Sequence, residues 1–484
     1  MARDLKDIIA NSKKIHFVGI GGCGMSAIAR VMLSMGYKVS GSDLKESANT
    51  IRLKELGAAV YIGHDALHIR DAQALVYTAA VDFENPELRE AQNLRLPIFE
   101  RAKVLGYLMS LYAESIAVAG THGKTTTSSM LSVILARLGL DPTYMIGGEV
   151  ADLHSNGSCG KSKYFVAEAD ESDSSIQFLD PKILILNNIE KDHLDHFSGL
   201  DDIVDLFKSC VVKLAQKSEH LLVVNSEQWG NQILLEKVKE IKNLRRLTFG
   251  LDSGANYQAV NIRYKDHGSI FTVLQDGAAL GDLELAVPGE HNILNALAAL
   301  TVSLRLGLDF PKIKEALLTF TGAKRRFTLL GSSCGVEIYD DYAHHPTELK
   351  ATLAAARRVF PRRRIFCVFQ PHRYSRTMHF LNDFAESFGD ADRVFVTGIY
   401  AAGEKPIAGV DARAIVAKMN APEKACFVEK KEDVADLALR ELDKGDVFFT
   451  LGAGDIYAVG REILNRLRNR APACQNAKEI IRIA

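Results

Sequence analysis

The stretch SIAVAGTHGKTTTSSM, residues 115–130, constrains the fold more than any other. An apolar run enters a turn with two glycines, then a lysine, three threonines and a helical stretch. That order predicts a strand, an anion-binding turn and a helix in direct succession. Gly120 and Gly123 let backbone N–H groups converge on an anion, and the helix adds the partial positive charge of its N-terminus. Lys124 is placed to reach β- and γ-phosphates, and Thr125 to offer a hydroxyl to Mg2+. The string is most of a P-loop, departing from the general pattern at Val118, where a glycine is usual. The anion is read as the triphosphate of ATP, against the plainer reading of a glycine turn with a solvated lysine.

A P-loop needs an α/β sheet around it, and the chain supplies one. Short apolar runs alternate with amphipathic stretches almost throughout, the pattern of βαβ units. A first block carries strands in IHFVGI (15–20), KVSGSD (38–43) and ALVYTA (74–79). A second holds SIAVAG, KYFVAE, KILILNN and HLLVVN. Its near period-two patch, from ANYQAVNIRY to LELAVPG, predicts an antiparallel insertion. A third holds VEIYDDY, RIFCVFQ, RVFVTG and DVFFTLGAG. At about 150 residues per domain, the 484 residues divide into 1–112, 113–325 and 326–484. The expected fold class is α/β, with Rossmann-like first and third domains flanking a central P-loop ATPase domain.

Composition excludes some functions. Lys plus Arg number 59 and Asp plus Glu 60, a net charge of −1, which argues against bulk attraction to nucleic acid or an anionic membrane. The opening MARDLKDIIANSKK lacks the apolar core and cleavage site of a secretory leader. No apolar run reaches the ~18 residues of a spanning helix. Seven scattered cysteines without a CxxC pair read as reduced thiols in a cytoplasmic protein.

Candidate chemistry gathers after strands, where open α/β sheets bind ligands. Glu168, Asp170 and Glu171 follow one strand of the second block; Asp192, His193, Asp195 and His196 follow another. Both clusters suit a magnesium–nucleotide site. In the first block, GIGGCG (19–24) fits G-x-G-x-x-G, with Asp43 about twenty residues on. Alone it predicts an NAD-dependent oxidoreductase. The turn itself asks only for a diphosphate near Gly21, Gly22 and Gly24, and a UDP-sugar carries one. In GEHNILNA, Asn292 and Asn295 share a helix face. The adjacent histidines of DDYAHHPTE are a weak zinc signal. Arg373 and Arg376 of QPHRYSRT follow a strand, and guanidinium forks match a carboxylate.

Taken in order, HFVGIGGCGMSAIA, GSD, GTHGKTTT, EADESD, DHLDH, GEHNILNA, DDYAHHPTE, QPHRYSRT and LGAGDIY resemble the Mur ligase family over about residues 15–460. The resemblance implies a UDP-binding domain, a central ATPase and an amino-acid domain, forming amide bonds through an acyl phosphate. It implies ATP and Mg2+, with two ions, as cofactors. QPHRYSRT resembles the branch whose substrates are UDP-N-acetylmuramate and L-alanine, in peptidoglycan precursor synthesis, and GIGGCGMS resembles both that branch and the recycling one. A neighbouring branch joins a tripeptide to the same nucleotide during recycling. The resemblance places Gly120, Thr121, His122, Gly123, Lys124, Thr125, Thr126, His291, Asn292, Asn295 and Arg326 on ATP. Thr125 and Glu168 match the first metal site and His193 the second. Lys124, His193, Arg326 and His344 take the catalytic roles. Gly21, Gly22, Gly24, Ser42, Asp43, His64, Thr78, Ala79, Ala80 and Arg101 are assigned to the UDP-sugar. Asp341, Tyr342, His344, His372, Arg373 and Arg376 are assigned to the amino acid. Sister ligases carry a carbamylated lysine near the second metal; Lys208 lies in that region of the chain, with no motif to align it.

Overall fold

The computed structural model describes residues 5–78, 81–172, 174–265 and 267–481. Its first sheet has five parallel strands in the order Ala59–Ile62, Lys38–Asp43, Lys14–Val18, Ala74–Tyr77, Ile98–Glu100. The order reverses between Lys14–Val18 and Ala74–Tyr77, so a crevice opens at their carboxyl ends. The strand within IHFVGI ends at Val18 because Gly19 turns to φ +82°, outside the extended region. The helix Cys23–Ser34 follows that turn.

The central sheet has ten strands. Glu114–Ala119 lies between Ile183–Leu186 and Tyr164–Glu168, all parallel. Its SIAVA is buried throughout, as expected of a strand covered by helices on both faces. One cover is Lys124–Arg137, buried from Thr126 to Leu135 and packed with the helix Glu290–Arg305 in one apolar core. The period-two patch forms Tyr257–Lys265, Gly268–Gln275 and Ala278–Leu285, antiparallel as the alternation predicts. It is continuous with the sheet, because Tyr257–Lys265 pairs in parallel with Arg246–Gly250. The opposite edge, Thr143–Val150 and Ser155–Ser158, has no alternating sequence pattern; it packs against the first block's helix Cys23–Ser34.

The third sheet runs Thr328–Ser333, Val336–Asp341, Val447–Leu451, Ile365–Phe369, Arg393–Thr397, Ala425–Val428. The first pairing is antiparallel and the rest are parallel. The fold class is thus three α/β units, parallel in the first, nearly so in the third and mixed in the centre. The carboxyl ends of the central and third sheets carry loops that meet.

Candidate active site

The phosphate turn leaves room only for glycine. A side chain on Gly120 (φ +125°) would lie 2.8 Å from the Asn188 carbonyl, and one on Gly123 (φ +79°) 2.4 Å from Asn295 Oδ1. The end of the neighbouring strand holds the turn from outside. Asn188 Oδ1 accepts from His122 N at 2.7 Å, and the Nδ2 atoms of Asn187 and Asn188 donate to His122 O at 3.3 and 3.2 Å. Thr121 Oγ1 accepts from Glu190 N at 2.9 Å. Lys124 Nζ reaches both oxygens of Glu171, at 2.9 and 3.0 Å. Burial opposes the lysine charge, but Glu171 and Asp170 outweigh it and raise its pKa.

Glu168 stands beside the helix that leaves the turn. It accepts from Thr125 Oγ1 and Ser128 Oγ, each at 3.3 Å, and from Gly147 N at 2.6 Å. Burial pushes its carboxyl up against those donors. Thr125 and Glu168 together present hard oxygen donors of the kind Mg2+ takes. His193 sits with φ +51° in the next loop, Nε2 3.6 Å from Asp192 Oδ2. Burial lowers its pKa, so the ring is neutral and has a nitrogen lone pair to offer. Lys208 is half-buried in the helix Leu200–Ala215.

A cavity of about 160 Å3 opens from the turn, lined by Gly123, Thr126, Asn187, Phe249, His291, Asn292, Asn295 and Arg326 among others. Asn295 Oδ1 accepts from Thr127 at 3.1 Å, its Nδ2 donates to Asn292 Oδ1 at 3.2 Å, and Asn292 Nδ2 donates to Pro288 O at 2.7 Å. Burial holds His291 neutral, with a pKa of about 4. Asn187 Oδ1, on the cavity wall, is a buried acceptor without a hydrogen-bond donor.

The third block closes one side. Asp341 accepts from Phe327 N and Ala343 N, both at 2.8 Å, and burial lifts its pKa to about 6. Tyr342 lies under the guanidinium of Arg326, 5.3 Å away, and edge-on to His344 at 5.3 Å. Arg325 takes a scaffolding place, with Nε on Asp340 at 2.9 Å and NH2 on Gly452 O at 2.7 Å. His372 stacks on Tyr400 and lies 5.7 Å from His344. Burial depresses its pKa to about 3.

The two arginines of QPHRYSRT cross to the DHLDH loop. Arg376, 7% exposed, makes a forked contact to Asp192 with NH2 at 2.9 and 3.3 Å, and Arg373 NH1 lies 3.0 Å from Asp195. Burial opposes the Asp192 charge, yet Arg376 holds that carboxyl well below its usual range. Both guanidiniums expected to face a ligand carboxylate therefore already have one from the protein.

In the first block, Gly21 N donates to Asp43 Oδ2 at 2.8 Å. The missing side chain of Gly24 leaves room for Arg101, whose NH1 lies 3.0 Å from where its Cβ would be. Arg101 also comes within 3.8 Å of Asp170 in the second block. Thr78 flanks Gly19 on the crevice lip. Ser42 is fully buried and its hydroxyl donates to Glu87 at 2.5 Å, with His64 Nδ1 at 2.9 Å, so its side chain is used inside the block. Ala79 and Ala80 lie outside the described residues.

Sequence reasoning passed over Asn187, Asn188, Glu190 and Glu348, all of which hold the turn or the junction, and weighed His345 only as half of a weak zinc signal. The signals were present: NNIE directly after a strand, and a glutamate three residues into a proline-started helix.

Comparison with known proteins gives one family. The Mur ligase family catalytic-domain model matches residues 14–113, the Mur ligase middle domain 118–303, and the Mur ligase glutamate ligase domain 325–454. The UDP-N-acetylmuramate–L-alanine ligase of Trichlorobacter lovleyi is 43% identical over 94% of this chain and 99% of its own. That of Desulforamulus reducens is 43% identical over 95% and 98%. Among solved structures, the UDP-N-acetylmuramate–alanine ligase of Thermotoga maritima is 32% identical with a TM-score of 0.80, covering 94% of this chain and 99% of its own. A murein peptide ligase from Psychrobacter arcticus is 24% identical with a TM-score of 0.70 over 94% and 98%, a likeness of fold.

Proposed function

The chain belongs to the Mur ligase family, and from that premise we propose that it joins L-alanine to the carboxylate of UDP-N-acetylmuramate with hydrolysis of ATP, in peptidoglycan precursor synthesis. The observation that carries the choice of substrates is 43% identity, end to end, to ligases of that name.

The chemistry needs three things brought together. The sugar-borne carboxylate attacks the γ-phosphorus and ADP leaves, giving an acyl phosphate. The alanine amine then attacks the acyl carbon and phosphate leaves. No covalent enzyme intermediate is required, so catalysis is positioning and charge stabilisation. The backbone of 120–125 cradles the phosphates, and Lys124 exchanges Glu171 for the β- and γ-phosphates. Asn292 and Asn295, already locked to each other, face the nucleotide cavity with His291. Arg326 neutralises the γ-phosphate from the junction. Thr125 and Glu168 would hold one Mg2+ and His193 a second; when bound, the ions supply charge neutralisation at the phosphates. Asp341, Tyr342, His344 and His372 line the alanine side, where His344 takes the proton of the ammonium. Arg373 or Arg376 receives the alanine carboxylate by sharing its fork with Asp195 or Asp192. Gly21, Gly22, Gly24, Asp43, His64, Thr78 and Arg101 form the UDP-sugar crevice.

We assign the domains to 1–112, 113–325 and 326–484, supported by the three separate sheets. A cytoplasmic place is part of the proposal. Among the described residues no helix is long and apolar enough to cross a membrane. Phosphate release from ATP in the presence of UDP-N-acetylmuramate tests the reading with an amino-acid panel. Release with L-alanine and its absence with the recycling tripeptide is expected; release with the tripeptide alone would overturn it.

A further inference from the structure

Glu348 has no part in the site as assigned, yet three assigned pieces meet on it. It is the third residue of the helix Pro346–Val359. Its Oε2 accepts from the backbone N–H of His344 at 3.0 Å and of His345 at 3.4 Å, and faces His344 Nδ1 at 3.1 Å. Its Oε1 faces His122 Nδ1 at 3.4 Å and Arg326 NH1 at 3.5 Å. Oε2 alone completes the helix cap. Oε1 reaches out of the third block to the phosphate turn.

His122 is arranged to meet it. Its backbone is fixed in the turn by Asn187 and Asn188, and its ring points to the third block. The other ring nitrogen lies 3.5 Å from Glu190 Oε2, and Glu190 in turn accepts from Thr347 Oγ1 at 2.6 Å. The Glu348 side chain is 11% exposed and the His122 ring 12%, so the contact works in a medium less polar than water. One carboxylate thus serves both sides of the junction. It seats the arginine nearest the γ-phosphate and the histidine of the amino-acid pocket.

Building on the ligase reading, we propose that Glu348 and His122 are positioning residues that set the amino-acid pocket in register with the phosphate turn. Both line the cavity that opens from the turn, and their part is to hold Arg326 and His344 in place. Separation of the third block from the second breaks the shared seat, so both groups lose their places together.

Two variants separate this role from helix capping. Glu348→Gln keeps an acceptor for the cap and removes the charge; His122→Asn removes the ring and leaves the turn's backbone. Each should melt within about 3 °C of wild type and show an about tenfold higher KM for L-alanine, with the KM for UDP-N-acetylmuramate within about twofold. The double variant should lose about as much as either single one, because both break one contact. Losses that multiply, or a wild-type KM for L-alanine in Glu348→Gln, would overturn the proposal. A defect confined to Glu348→Ala would reduce Glu348 to a cap and do the same. An inactive wild-type protein would instead remove the ligase reading, and the proposal with it; inactivity of variants alone leaves that reading standing.

Discussion

The first block's crevice and the junction between the second and third blocks are both dense in charge, but they are built differently. Around the crevice the network centred on Glu87 closes within one block. Glu87, fully buried, holds His68 Nδ1 at 2.8 Å, His64 Nδ1 at 3.0 Å and Ser42 Oγ at 2.5 Å. At the junction the network crosses between blocks: Arg376 to Asp192, Arg373 to Asp195, Glu348 to His122, Thr347 to Glu190. The Glu87 network is fixed when its own sheet folds. The junction exists only while two blocks are docked. A binding surface made in advance beside a reaction centre made by docking suits a reaction that must keep water from an acyl phosphate until all substrates are in place.

That contrast can be broken most forcefully at Arg376. Arg376→Met leaves Asp192 buried and uncompensated, which costs about 4 kcal/mol. We expect kcat/KM for L-alanine to fall by more than about a hundredfold, while calorimetry finds UDP-N-acetylmuramate binding unchanged. Equal loss at both sites would mean that the crevice also depends on docking. Lys124→Ala should come next. Removing one charge-stabilising group costs about 3 kcal/mol, roughly a hundredfold in kcat. Steady-state kinetics should show that loss without altered UDP-sugar affinity.

The junction should also respond to pH where the crevice does not. Burial opposes the charge on His122, but the carboxylates of Glu190 and Glu348, 3.5 and 3.4 Å from its ring nitrogens, overcome it and lift its pKa from 6.5 to about 9. Glu190 belongs to the same block as His122 and Glu348 to the third, so docking adds only the Glu348 share of this rise; that share is fully present below pH 6.5 and is lost as pH rises through 9. Between those values docking weakens as pH rises, by less than about 1.4 kcal/mol per pH unit. Small-angle scattering of the nucleotide-bound protein should show a larger radius at pH 9.5 than at pH 7, and His122→Asn should show no such change.

Much of this was legible in the sequence because strands buried on both faces are continuous apolar runs, and because chemistry in α/β proteins follows those runs. The turn at 120–125, the clusters after Glu168 and Asp192, and the loop 340–348 are all of that kind. The edge strands Thr143–Val150 and Ser155–Ser158 were not legible, because their burial comes from the helix Cys23–Ser34 of another block. The same limit hid the roles of Glu190 and Glu348. Each is an ordinary glutamate in its own block and gains its role at the junction from a partner more than a hundred residues away. Arg376 shows the limit from the other side. Its type and place suggested a free fork, but the partner already on that fork, Asp192, is contributed by a different sheet.

The smallest expected effect tests the crevice itself. Burial works against ionisation of Glu87, yet the His16 ring 3.6 Å away and the hydrogen bond from Ser42 hold its pKa down, at about 2. Because that value is depressed below 4.5, the carboxylate's contribution is present above pH 4.5 and is lost as pH falls through 2. Glu87→Gln keeps an acceptor oxygen but exchanges charge-assisted hydrogen bonds for neutral ones, a loss of about 1 kcal/mol. The variant should fold, melt slightly lower and raise the KM for UDP-N-acetylmuramate about fivefold through His64, leaving the KM for L-alanine alone. This is the reverse of the pattern expected from Arg376→Met. If instead Glu87→Gln changed both KM values together, the His64 network would have to reach the junction, for example through Arg101 and Asp170, one of the pairs that join the first block to the second, at 3.8 Å.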